Sequence, residues 1–143
     1  MIVFRMHGIS QDAFDSMGAF LQPGRWHSAG ARIVYTAEYA SLAVLETLIH
    51  AGGRKMPPRA ITRIHLPGDL SIESAPWLEM PESQAFGEKW AKEARTAVLR
   101  VPSIAVNRME SNFVLNPRHP DFSHIHHDPP ESFIFDPRFC LAV

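Results

Sequence analysis

The chain has one cysteine, Cys140, so no disulfide can close within it and nothing ties it to an oxidising compartment. It has no run of about 18 apolar residues, so no membrane-spanning helix is expected. The opening residues, Met1–His7, lack a basic segment followed by a long apolar one, so no signal peptide is expected and the reading is cytoplasmic. Neither sign of charge is in excess. Lys and Arg number 14 against 15 Asp and Glu, for a net charge of −1, which argues against nucleic acid as a direct partner. Also missing are a Gly-x-Gly-x-x-Gly turn, a phosphate-binding Walker loop, a Gly-x-Ser-x-Gly elbow and a Cys-x-x-Cys pair. The common dinucleotide folds, nucleotide triphosphatases and serine hydrolases are therefore unsupported.

What remains is an ordinary globular composition, 45% apolar and 20% charged, over 143 residues. That length suits one domain, 1–143, with a core large enough to stand without staples. Twelve prolines and eight glycines are scattered along the chain and cut it into short elements, as in a mixed α+β domain.

Ile2–Met6 and Ile33–Thr36 read as strands, the second rich in β-branched and aromatic residues. Tyr39–His50 is the clearest helix. It is apolar on nearly all faces, which predicts a core helix, and it stops at Gly52-Gly53. Ala60–Leu66 alternates and predicts a strand. Glu82–Val98 predicts an amphipathic helix with Phe86, Trp90, Ala94 and Ala97 on one stripe. Ile104–Val106, Asn112–Leu115 and Ser132–Phe135 are short strand candidates. Asn116–Pro130, with four prolines and four histidines, reads as a long functional loop.

Four features offer chemistry. In Gly24-Arg25-Trp26 a glycine permits close backbone approach, while an arginine beside an aromatic supplies a bidentate fork and a stacking face. The competing reading is an arginine packed on a tryptophan at the surface. Glu46 lies four residues after Leu42 and three before Ile49, which puts a carboxylate on an apolar stripe. A carboxylate there is costly unless paired or functional, and the alternative is one that snorkels at the core edge. Tyr35 points to the face opposite Val34 and Thr36, as a core tyrosine also would. His124-x-His126-His127-Asp128 could present two histidines on one strand face to a metal. It lacks further ligands nearby, so a solvated loop is the better reading and no metal is expected.

Seven segments in order resemble the RES domain. They are Phe4-Arg5, Gly24–Gly30, Ile33–Ala37, Ser41–Glu46, Val101-Pro102-Ser103, Leu115-Asn116-Pro117-x-His119-Pro120 and Phe133-x-Phe135-Asp136-Pro137-Arg138-Phe139. The usual family pattern has asparagine where this chain has His27.

The resemblance implies a fold like the ADP-ribosyltransferases, a split, mostly antiparallel β core with flanking helices. It implies NAD as substrate, degraded by passing ADP-ribose to water or phosphate, and the toxin role in a type II toxin–antitoxin system. Transfer to a macromolecule is the rival chemistry, and a binding module without turnover is the rival from another class. The resemblance further implies an antitoxin of the Xre helix-turn-helix type that blocks the pocket, and it leaves a homodimer within the complex open. By carry-over Glu46 is the catalytic carboxylate, and Arg25 and Tyr35 bind NAD. Trp26, Arg5 and Asn116 join the binding set. Ser132 is the first choice for the family's serine and Ser103 the second.

Overall fold

The computed structural model describes residues 1–139, so Cys140 lies outside it. Strand β1 (Ile2–His7) pairs along its whole length with β3 (Arg59–His65), antiparallel, from Ile2↔His65 to His7↔Ala60. Strand β2 (Val34–Ala37) pairs with β6 (Ser111–Leu115), which in turn pairs with β5 (Val98–Pro102), both antiparallel. Strand β4 (Ile72–Ser74) adds to β5 in parallel. These two blocks meet at a single pair, Phe4↔Ala37 between β1 and β2. The sheet is therefore split, as the α+β expectation had it. The far edge of β3 takes β8 (Glu131–Phe133) along its first half and β7 (His126–His127) along its last.

Side chains alternate across each strand, so each face collects its own set. Val3, Val34, Ile64, Val98, Phe113 and Leu115 form a core on one face, covered by the loop residues Phe14 and Phe122 and by Ile125. The other face holds two clusters side by side. One packs Trp26, Ile33, Leu99, Val101 and Val114 around Trp90 of helix α3 (Glu82–Lys92). The other packs Ala37, Phe4 and Met6 against Leu42 and Ala43 of helix α2 (Ala40–Ala51). A short helix α1 (Met17–Leu21) precedes β2.

Several expectations change. Helix α2 is not buried all round: it buries Leu42, Ala43 and Ala51, while Leu45 and Ile49 are exposed. It packs chiefly on β1, β2 and the turn after β5. The predicted helix 82–98 ends at Lys92, because Ala94 adopts the left-handed conformation at φ 49°. Val98 then opens β5, a strand the amphipathic stripe had hidden. Ile104–Val106 is a 3-10 turn rather than a strand, since it closes the β5–β6 connection. The loop 116–130 contains a 3-10 turn, Pro120–His124, and strand β7. Among the described residues, no helix is long and apolar enough to cross a membrane.

Candidate functional site

The site begins with a tight turn. The Gly24 N–H donates to the His27 carbonyl at 3.1 Å. A Cβ on Gly24 would lie 2.6 Å from the His27 ring and 3.1 Å from the Tyr35 hydroxyl, so only glycine closes the turn this tightly. His27 is buried and faces two carbonyls through Nε2, Gln22 at 2.7 Å and Ala19 at 3.0 Å. Those acceptors place its proton on Nε2 and leave Nδ1 to accept from the Tyr35 hydroxyl at 2.7 Å. The same hydroxyl accepts the Trp26 N–H at 3.3 Å. Burial holds the Tyr35 phenol well above its ordinary pKa, so it stays neutral.

Helix α3 grips this turn from the other side. Ser83 donates its hydroxyl to the Arg25 carbonyl at 2.6 Å, and the Gln84 amide donates to the Gly24 carbonyl at 2.8 Å. One turn further on, Gly87 lies so close to the Trp26 backbone that a Cβ would come within 1.8 Å of its carbonyl oxygen. Residues 83, 84 and 87 share a helical face, and that face is shaped to the turn.

The grip commits the backbone of Arg25 and leaves its side chain free of partners. Among the described residues its guanidinium makes no hydrogen bond or ion pair. It lies over the ring of Trp77, 5.7 Å from Cζ to centroid. Trp77 sits between β4 and α3, and sequence reasoning missed it. The predicted stacking partner, Trp26, is only 2% exposed. Its indole packs edge-on against Phe86 in the core, so it offers no face to a ligand.

Glu46 stands on α2. The Ser103 hydroxyl, buried at the end of β5, donates to Glu46 Oε1 at 2.9 Å. The β5–β6 turn fixes that serine: its N–H donates to the Glu110 carbonyl at 2.9 Å and its carbonyl accepts the Arg108 N–H at 2.7 Å. Glu46 is half-buried, and its Oε2 accepts no hydrogen bond from the described residues. Contacts thus run from Glu46 through Ser103 and the Arg108 turn to Trp77 and Arg25, and the Tyr35 hydroxyl meets the N–H of the next residue, Trp26.

Three expected residues stand outside this chain. Arg5 alternates to the opposite face from Phe4 and Met6, and its guanidinium donates to the carbonyls of Ala13 and, at 2.6 Å, Asp15. Burial lowers its pKa to about 10, and the geometry makes it a brace for the 13–15 loop. Ser132 is exposed on β8 opposite Ala60, and Ser103 is the serine that the fold brings to Glu46. Asn116 spends its amide inside the protein, donating to the Ala91 carbonyl at 3.1 Å and accepting the Arg118 N–H at 3.1 Å. It borders a separate cleft of about 330 Å³ between residues 27–33, α3 and Arg118, which neither Glu46 nor Arg25 lines.

The histidine cluster has other partners. His126 stacks on His65, whose Nε2 meets Asp128 at 2.7 Å, and His127 packs edge-on against Phe14. Among the described residues no three metal-ligating side chains converge.

A protein named Prs ADP-ribosylating toxin, from Sphingobium sp. (strain YBL2), is 35% identical over 140 residues, covering 89% of this chain and 86% of its own. A protein named Toxin Res, from Photorhabdus laumondii subsp. laumondii, is 34% identical over 134 residues, covering 85% of each. The crystal structure of the M. tuberculosis MbcT–MbcA toxin–antitoxin complex contains a chain of the same fold, with a TM-score of 0.75 at 16% identity over 92% of this chain and 83% of that one. The RES domain profile matches residues 2–136, nearly all that the structure describes, and with these relatives it shows that the chain belongs to the RES-domain family.

Proposed function

We propose that this protein is the toxin of a toxin–antitoxin pair and that it cleaves the nicotinamide–ribose bond of NAD, passing ADP-ribose to water or phosphate. The observation that carries the reading is the Glu46–Ser103 pair, set on one face with an arginine that has no carboxylate partner among the described residues.

Such a site suits the reaction. The bond from ribose C1′ to the pyridinium nitrogen breaks, and its electron pair goes to that nitrogen. Nicotinamide then leaves neutral, so no general acid is required. The ribosyl fragment becomes oxocarbenium-like, and the oxygen of the acceptor bonds to C1′ as its proton leaves. A carboxylate near C1′ stabilises that charge electrostatically and can receive the acceptor's proton. The Ser103 hydroxyl holds one oxygen of Glu46 and leaves the other for the ribose. A guanidinium is matched to the pyrophosphate by its planar fork. Tyr35, with its hydroxyl committed to the turn, serves by holding the Trp26 N–H and the His27 ring just after Arg25.

A second reading shares this pocket and differs in the acceptor. The name of the Sphingobium relative, an ADP-ribosylating toxin, favours transfer to a macromolecule. NAD labelled in its adenylate part separates the two. Label appearing only in small products supports degradation, and label on a macromolecule supports transfer. NAD left intact by purified, partner-free protein, with and without phosphate, overturns degradation, and NAD left intact and no macromolecule labelled after cell lysate is added overturns transfer. The partner inferred here is an Xre-type helix-turn-helix antitoxin that covers the Glu46 face. Co-expression should then restore growth and NAD together.

A further inference from the structure

Two arginines converge on one indole. Arg108 Cζ lies 4.9 Å from the ring centroid of Trp77, and Arg25 Cζ lies 5.7 Å from it. Neither guanidinium has a hydrogen bond or ion pair among the described residues. Elsewhere on the surface the guanidiniums of Arg63, Arg95 and Arg138 each rest on a carboxylate. Two cations gathered on one aromatic without a counter-charge repel each other, and an anion between them relieves that repulsion.

The backbone beneath Arg108 is itself unusual. Asn107 and Arg108 both adopt the left-handed conformation, at φ 54° and 66°, which asparagine tolerates and arginine disfavours. Hydrogen bonds hold them there. Arg108 N–H donates to the Ser103 carbonyl, and the N–H groups of Asn107 and Met109 donate to the carbonyls of Ile104 and Val106. Backbone held in a sparsely populated region at a site points to use. The same turn presents the Ser103 hydroxyl to Glu46, so one hairpin carries both the group that holds the carboxylate and a second cation.

We infer that Arg108 and Arg25, platformed on Trp77, form a two-armed clamp for the pyrophosphate of the substrate. The inference rests on the NAD reading above and adds Arg108 and Trp77 to it. A pyrophosphate diester carries two negative charges on adjacent phosphates, so it matches two guanidiniums better than one. A linked clamp also sets the distance from pyrophosphate to ribose, since Ser103 anchors the Arg108 turn to Glu46.

The test measures ADP-ribose binding by calorimetry and NAD turnover, on wild type, Arg108→Gln and Arg108→Lys. Arg108 is exposed, and glutamine keeps the stem while removing the charge, so melting temperatures should agree. Expected are a roughly tenfold or greater loss of ADP-ribose affinity in Arg108→Gln, partial recovery in Arg108→Lys, and a rise in KM with kcat nearly kept. Unchanged affinity and KM in Arg108→Gln, with wild type binding normally, overturns the clamp and leaves the NAD reading standing. A loss confined to kcat also overturns it. Wild type that binds neither ADP-ribose nor NAD removes the NAD reading and the clamp with it.

Discussion

At the scale of single residues, the weight falls on Glu46 and the serine that holds it. Replacing Glu46 by glutamine is nearly isosteric, so the fold and NAD binding should survive. The lost charge acts mainly on the oxocarbenium-like state, so turnover should drop by about 10²–10³ while affinity changes little. Side-by-side melting curves and NAD consumption check this, and a folded, fully active Glu46→Gln protein would remove the proposed mechanism. The serines give a sharper contrast. Ser103→Ala loses the hydrogen bond to Glu46, and bonds to charged groups are worth about 1.5–3 kcal/mol, so a rate loss of roughly ten- to a hundredfold is expected. Ser132→Ala, exposed on β8, should leave the rate unchanged. The reverse pattern in one assay would return the role to Ser132.

At the scale of elements, α3 is the part that makes Arg25 usable. Ser83 and Gln84 hold the carbonyls of Arg25 and Gly24, and Gly87 lets the helix approach the Trp26 carbonyl. Gly87→Ala gains intrinsic helix propensity of about 1 kcal/mol. It also drives a methyl group into backbone that cannot yield without opening the turn. Overpacking should win, with a net loss of about 2 kcal/mol and a fall of roughly 5–10 °C in melting temperature. Thermal unfolding measures it, and a more stable variant would show that the turn is not held against α3. The same contact explains a misreading. The stripe Phe86, Trp90, Ala94, Ala97 predicts a helix to Val98, and all four of its residues are buried or half-buried. The left-handed Ala94 breaks the helix, so Ala97 and Val98 reach the opposite core by way of β5.

At the scale of the whole molecule, the split sheet keeps the site on one face and much of the internal bracing on the other. His7 belongs to the bracing. It is buried, with Nε2 accepting from the Thr62 hydroxyl at 2.8 Å and Nδ1 donating to the Gly8 carbonyl at 3.0 Å. Burial pushes its pKa below the ordinary 6.5, so the unfolded chain takes up a proton that the folded chain resists. Stability contributed by the neutral imidazole is thus whole above about pH 6.5 and is lost as pH falls through the depressed folded value. Denaturant midpoints should decline from about pH 6.5 downward, and His7→Gln should flatten that decline. An unchanged slope in His7→Gln would assign the decline to other groups.

Local chemistry and periodicity, read from the sequence alone, determined the class of fold. Strands 2–6, 33–36 and 60–66 and the helix ending at Gly52-Gly53 follow from alternation, β-branching and a glycine stop, all properties of near neighbours. Arg25, Tyr35 and Glu46 could be named as candidates because their segments fall in a family order. Tertiary structure alone decided which residues meet. Ser103 and Glu46 are 57 positions apart, and only the packing of α2 on the β5–β6 turn joins them. Trp26 and Trp77 are equally suited to stack on a guanidinium. Burial against Phe86 removes the first and leaves the second under Arg25 and Arg108. Arg5 sits in a matching segment, but strand alternation turns it to the far face, where two carbonyls occupy it. Sequence carries the local preferences. Contacts between distant segments depend on how strands alternate and helices dock, and those are settled only when the whole sheet is assembled.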